Sequence, residues 1–119
     1  MSAAAYYPLE WAQGNTFDPV ITFKSGYLPF ALTGGSIVFR VTDATDTEVL
    51  RIDTDTADSG VEISNAANGE VTFNVSYTVT RDAPTRGLNY SIEWRPVPSV
   101  HKTLMYGPMN VRRDANDDV

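Results

Sequence analysis

Cysteine is absent from the 119-residue chain, which excludes disulfide staples, a thiol nucleophile and any cysteine-bound metal. The redox compartment stays open, because reducing and oxidising surroundings both tolerate a cysteine-free protein. Lysine is scarce, standing only at Lys24 and Lys102. Nine basic residues face fifteen acidic ones for a formal net charge of −6. That balance argues against a nucleic-acid partner held through its phosphates. No apolar run approaches the ~18 residues of a helical membrane span, so no membrane partner is expected. No stretch keeps apolar residues at i, i+3 and i+4 over three turns, which excludes long amphipathic helices. Met1-Ser2-Ala3-Ala4-Ala5 offers neither a basic nor an apolar signal region, and the expectation is a soluble protein made without a secretory signal.

What is present fits one domain. A chain of this length buries roughly two thirds of its unfolded surface, enough for a core without staples. Hydrophobic residues at 42% and charged residues at 20% make a globular composition.

A period of two dominates the pattern. Val71, Phe73, Val75, Tyr77 and Val79 alternate with Thr72, Asn74, Ser76, Thr78 and Thr80, the signature of a half-buried strand. Leu88, Tyr90, Ile92 and Trp94 form a second such face, and Ile37, Phe39 and Val41 a third. Phe17, Ile21 and Phe23 share a face with Pro19, which confines that strand to an edge or a bulge because proline cannot donate to a ladder. Leu50 with Ile52, and Val61 with Ile63, give two shorter strands. From Thr103 to Val111 either Met105, Met109 and Val111 or Leu104 and Tyr106 face inward, and Gly107-Pro108 is expected to mark a bulge. Asn68-Gly69 is the strongest hairpin signal. Thr80-Arg81-Asp82-Ala83 reads as a single helical turn. Seven short strands with closely spaced turns predict an all-β domain, an antiparallel sandwich or a small barrel. Phe39, Phe73, Tyr90 and Trp94 are its expected core.

The acidity is local. From Asp43 to Glu62 there are seven acids (Asp43, Asp46, Glu48, Asp53, Asp55, Asp58, Glu62) against Arg51 alone. An EF-hand register from Asp53 fails, since Asp58 stands where glycine is needed and Ser64 where the bidentate glutamate belongs. The stretch reads as a solvated, self-repelling loop, with an irregular calcium site between loops as the alternative because hard oxygen ligands need only cluster, and no metal and no cofactor are expected. His101 is the single histidine, with no nucleophile elbow or zinc spacing around it. Asp53 and Asp55 lie in the most solvated part of the chain, where nothing raises a carboxyl pKa for acid catalysis. No enzyme is expected.

Candidate contacts are of two kinds. Tyr6, Tyr7 and Trp11 cluster before the first clean strand, and tyrosine and tryptophan make contact anchors or sugar-stacking platforms. Trp11 has a competing reading as a plug over the end of its own sandwich. The outward set Thr72, Asn74, Ser76 and Thr78 is uncharged and β-prone, a surface that a subunit of a ring or lattice can bury.

The order of motifs carries a resemblance. Gln13-Gly14-Asn15-Thr16-Phe17 opens a strand, followed by Leu32-Thr33-Gly34-Gly35-Ser36-Ile37-Val38-Phe39-Arg40-Val41 and Asn68-Gly69-Glu70-Val71-Thr72-Phe73-Asn74-Val75. Then come Gly87-Leu88-Asn89-Tyr90-Ser91-Ile92-Glu93-Trp94 and Leu104-Met105-Tyr106-Gly107-Pro108-Met109-Asn110-Val111. From Gln13 to Val111 the chain resembles small structural proteins of tailed bacteriophages and prophages, including the N-terminal domain of baseplate upper proteins. Asn15 stands where that pattern has aspartate. The resemblance implies an immunoglobulin-like antiparallel β-sandwich that assembles into a virion, as a homo-oligomer contacting other virion proteins, without catalysis. It implies a tail or baseplate component made in the host cytoplasm. A capsid decoration (cement) protein is the alternative within that class, and a carbohydrate-binding module at a host surface is the alternative from another. The expected layout is one domain over residues 1–119, with an N-terminal arm at 1–12, the sandwich at 13–112 and a polar tail at 113–119.

Overall fold

The computed structural model describes residues 5–12, 16–25, 28–56, 60–76, 87–97 and 99–112. Thr78, the helical turn at Thr80–Ala83 and the polar tail at 113–119 lie outside the described residues.

Strands β1 (Ala5–Tyr6), β2 (Leu9–Ala12), β3 (Val20–Thr22), β4 (Lys24–Ser25), β5 (Leu28–Pro29) and β6 (Ser36–Thr42) come first. They are followed by β7 (Glu48–Asp53), β8 (Val61–Asn65), β9 (Glu70–Phe73), β10 (Asn89–Arg95) and β11 (Lys102–Arg112). The large sheet runs β1-β11-β10-β6-β7, with β2 also paired to β11. The second sheet runs β3-β9-β8, and β4-β5 is a small separate hairpin. Two facing sheets with this connectivity form an immunoglobulin-like β-sandwich.

The edge position of Pro19 is visible in the ladder. Phe17 and Val75 exchange both backbone bonds, at 3.0 and 2.8 Å, and Pro19 accepts from Phe73 N at 3.0 Å. Proline has no N–H to return to Phe73, so the ladder breaks between Phe17 and β3. The Asn68-Gly69 turn joins β8 to β9 as the sequence predicts: Ala66–Asn68 makes one 3-10 turn, capped by Asn65 and closed by Gly69 at φ 71. A side chain at Gly69 would also stand 2.5 Å from the carbonyl oxygens of Phe23 and Phe30, so only glycine fits.

The core is aromatic. Phe39, Phe73, Tyr90 and Trp94 are all buried. Phe39 meets Phe73 edge-on at 5.1 Å and Tyr90 at 6.1 Å between ring centroids. Phe17 joins them, 5.9 Å from Phe39 and 5.7 Å from Phe73. On β11 the inward set is Met105, Met109 and Val111, while Tyr106 points out.

Three expectations change. The N-terminal arm is not outside the sandwich: β1 and β2 both pair parallel to β11, so residues from Ala5 on belong to the large sheet. The sandwich is therefore antiparallel except at this edge. The irregularity in β11 falls where Ile92 pairs Met105 and Glu93 pairs Thr103, which leaves Leu104 as the extra residue; Gly107 instead stays in register with Tyr90. Finally, the strand expected from Val71 to Val79 is regular only to Phe73 among the described residues, with an isolated bridge at Val75, and its last residues, 77–79, lie outside them.

Candidate assembly surface

Tyr6 and Tyr7, the contact residues proposed from the sequence, lie at a solvent-facing edge. They are 64% and 58% exposed, and exposed tyrosine rings at a fixed backbone position are low-entropy anchors. The backbone there is fixed. Tyr7 N donates to Tyr106 O at 2.9 Å, β1 pairs Tyr6 with Tyr106, and the buried Tyr90 hydroxyl donates to Tyr7 O. Tyr106, which the alternation left ambiguous, joins them: it is 44% exposed and its ring meets that of Tyr6 edge-on at 5.6 Å. The signal that finds it is Met105 and Met109 pointing in, which by period two sends Tyr106 out.

Trp11 corrects one expectation. It is 3% exposed and its ring packs 5.6 Å from that of Phe17. Being two residues after Leu9 on β2, it shares the inward face, so it plugs its own sandwich and offers nothing to a partner. Its indole N–H has no hydrogen-bond partner among the described residues.

Thr72, Asn74 and Ser76 sit on the other sheet and do not join the tyrosines. Thr72 is half-buried, while Asn74 and Ser76 are exposed beyond the end of β9. The Thr72 hydroxyl donates to Ser64 Oγ at 2.8 Å, and Ser64 donates to Glu70 Oε1 at 2.8 Å. This chain of hydroxyls satisfies the Thr72 side chain within the protein itself.

The acidic stretch serves a turn. Asp43 Oδ1 accepts from the Thr45 hydroxyl at 2.7 Å, from Thr45 N at 2.9 Å and from Thr47 N at 3.0 Å, closing the β6–β7 hairpin. The Thr45 hydroxyl first, and the Thr47 amide next, hold this carboxyl below its ordinary range. Glu48 at the other end of the turn pairs with Arg40 at 2.9 Å. Among the described residues no three His, Asp or Glu side chains are grouped to hold a metal ion. His101 is exposed and lies 3.4 Å from Glu93, which also pairs with Arg95 at 2.6 Å.

The outward face of the large sheet carries a row that crosses five strands. Tyr6 pairs Tyr106, Tyr106 pairs Ser91, Ser91 pairs Arg40 and Arg40 pairs Arg51. Two aromatic rings stand at one end, a small hydroxyl in the middle and two guanidinium groups at the other.

No family model matches the chain, and no curated protein matches it either. Among solved structures it is similar to the extracellular domain of the voltage-gated sodium channel beta4 subunit, described as a parallel homodimer in cell-cell adhesion, at 11% identity and a TM-score of 0.40, over 96% of this chain and 97% of that one.

Proposed function

We propose that the chain is a structural component of a tailed-phage virion, in the tail or baseplate, which works by presenting a rigid tyrosine edge to neighbouring subunits. The observation that carries this reading is the group of Tyr6, Tyr7 and Tyr106, strongly exposed on backbone that hydrogen bonds hold in place. Tyrosine rings carried on backbone already held in place lose little entropy on docking. The order of glycine turns and alternating strands from Gln13 to Val111 supports the phage assignment, and the reading assigns the chain no reaction. Immunogold labelling of phage particles from the host carrying this gene tests it. Label at the tail end supports the reading, label over the head supports the cement protein, and unlabelled particles overturn both.

The exposed tyrosines also favour a second reading, a carbohydrate-binding surface. The edge-on angle of 72° between Tyr6 and Tyr106 gives no flat double platform, so one ring at most would stack on a sugar face. A glycan array that leaves the chain unbound overturns it.

A further inference from the structure

We infer that the outward face of the large sheet is a self-complementary interface, and that its occupant is a second copy of this chain related by a two-fold axis running along the strands over Ser91. This rests on the assembly reading only in treating the tyrosine edge as a contact surface. Adjacent strands lie about 4.8 Å apart. Tyr106 is one strand from Ser91 on one side and Arg40 one strand from it on the other; Tyr6 and Arg51 are each two strands away. A rotation about an axis over Ser91 therefore lays Tyr106 of one copy over Arg40 of the other, and Tyr6 over Arg51. Each pair occurs twice, because a two-fold interface repeats every contact with the roles exchanged.

The chemistry of the pairs fits. A guanidinium over a tyrosine face is attracted by the ring quadrupole, and its flat, weakly hydrated group stacks without losing its other hydrogen bonds. Arg40 keeps Glu48 at 2.9 Å while its face covers a ring. Ser91 at the axis is small enough for two sheets to approach to about 10 Å. Glu93, two residues further along β10, meets its own mate near the axis, and its charge is compensated by Arg95 at 2.6 Å. The face measures roughly 20 Å across and roughly 20 Å along the strands, about 400 Å² per copy and about 800 Å² in total, below the standard size, so the dimer is a weak, concentration-dependent one. The alternative two-fold, with its axis along the row, sets ring on ring and arginine on arginine, and like charges disfavour it.

Sedimentation equilibrium of the whole chain and of two double variants tests the inference. One variant carries Tyr6→Ala and Tyr106→Ala, the other Arg40→Ala and Arg51→Ala. Each is expected to weaken the dimer at least tenfold, by about the loss of four such contacts. Mixed in equal amounts they are expected to form a heterodimer tighter than either homodimer, because the arginines of the first still meet the tyrosines of the second. Thermal melts establish that each variant folds; where Tyr106→Ala unsettles the edge, Tyr106→Leu keeps the bulk and removes the ring face. A wild-type chain that is monomeric at about 100 µM overturns the inference. So does a dimer that neither variant weakens, or a mixture no tighter than its parts. A monomer that still binds phage particles overturns only the dimer, whereas a dimer that labels no particle overturns only the virion reading.

Discussion

The hydroxyl of Tyr90, in the core, donates to the backbone carbonyl of Tyr7, at the N-terminal edge. The two residues are 83 positions apart, and this bond ties the first strands to the strand at the centre of the large sheet. Burial first, and then the phenols of Tyr7 and Tyr6, push the Tyr90 pKa up to about 12. A phenol whose folded pKa is raised favours the protonated folded form, so its contribution is complete below the ordinary value near 10 and is lost as pH rises through 12. Wild-type stability measured by urea melts is expected to fall across that window, by at most about 1.4 kcal/mol per pH unit from this one proton. Tyr90→Phe leaves the Tyr7 carbonyl unsatisfied, costs about 1–3 kcal/mol at neutral pH, and removes this part of the alkaline loss. An alkaline profile unchanged in Tyr90→Phe assigns the loss to another group.

Gly107 makes that crossing possible. A side-chain carbon there would stand 2.7 Å from Tyr7 O and 3.1 Å from Tyr7 C, and backbone held by two ladders cannot give way. Gly107→Ala is expected to cost about 1–3 kcal/mol and to raise hydrogen exchange at Tyr7 N, which donates to Tyr106. Unaltered exchange at Tyr7 would place the strain elsewhere.

Phe73 reports the register of β9. It is 1% exposed and lies against both Phe17 and Phe39. Phe73→Ala is expected to cost about 3–5 kcal/mol in a chemical melt. A loss below about 1 kcal/mol would put the residue outside, a one-residue slip of the strand.

The two-sheet core was legible because alternation over β6, β9 and β10 is strict, and period two assigns each side chain to a face without reference to the rest of the chain. The parallel pairing of β1 and β2 with β11 was not legible. Parallel partners from opposite ends of a chain share no turn, and Tyr6-Tyr7-Pro8 carries no alternation to reveal a strand. The sequence leaves Trp11 between anchor and plug for the same reason: its inward direction follows from Leu9 only once β2 is known to be a strand. Tyr106 was hidden by Leu104, an extra residue that shifts the alternation of β11 partway along its length. The row from Tyr6 to Arg51 needs four strand registers at once, and no local pattern contains it.

Asp43 makes the acid side of the pH profile testable. Its carboxyl is held below the ordinary value of 3.8, so the stability it adds is present above that value and lost as pH falls through the lower folded one. Asp43→Asn keeps an acceptor oxygen for the Thr45 and Thr47 amides but carries no charge. Its melting temperature is expected to drop less between pH 7 and pH 3 than that of wild type. Asp43→Ala, which lacks any acceptor, is expected to melt lower than Asp43→Asn at pH 7. Equal melting of the two at pH 7 would mean that the turn closes without this side chain.

The N-terminal aromatics separate stability from assembly, because the fold buries Trp11 and leaves Tyr6 and Tyr7 exposed. Trp11 is buried against Phe17, and Trp11→Ala removes a large ring from the edge of the core, at an expected cost of about 3–5 kcal/mol. Tyr6 and Tyr7 contribute their backbones to the sheet and their rings to solvent. Replacing both with alanine keeps the Tyr7 amide and the carbonyl that Tyr90 reaches, so a change within about 0.5 kcal/mol is expected for surface rings of this kind. Binding of the labelled chain to phage particles is then expected to weaken in the tyrosine double variant and to survive in whatever fraction of Trp11→Ala remains folded. Deleting residues 1–8 does not make this distinction, since it also removes the β1 pairing with β11 and the Tyr90 acceptor. If the double variant binds particles as tightly as wild type, the contact lies away from this edge. The exposed Asn74 and Ser76 at the end of β9 are then the next residues to replace.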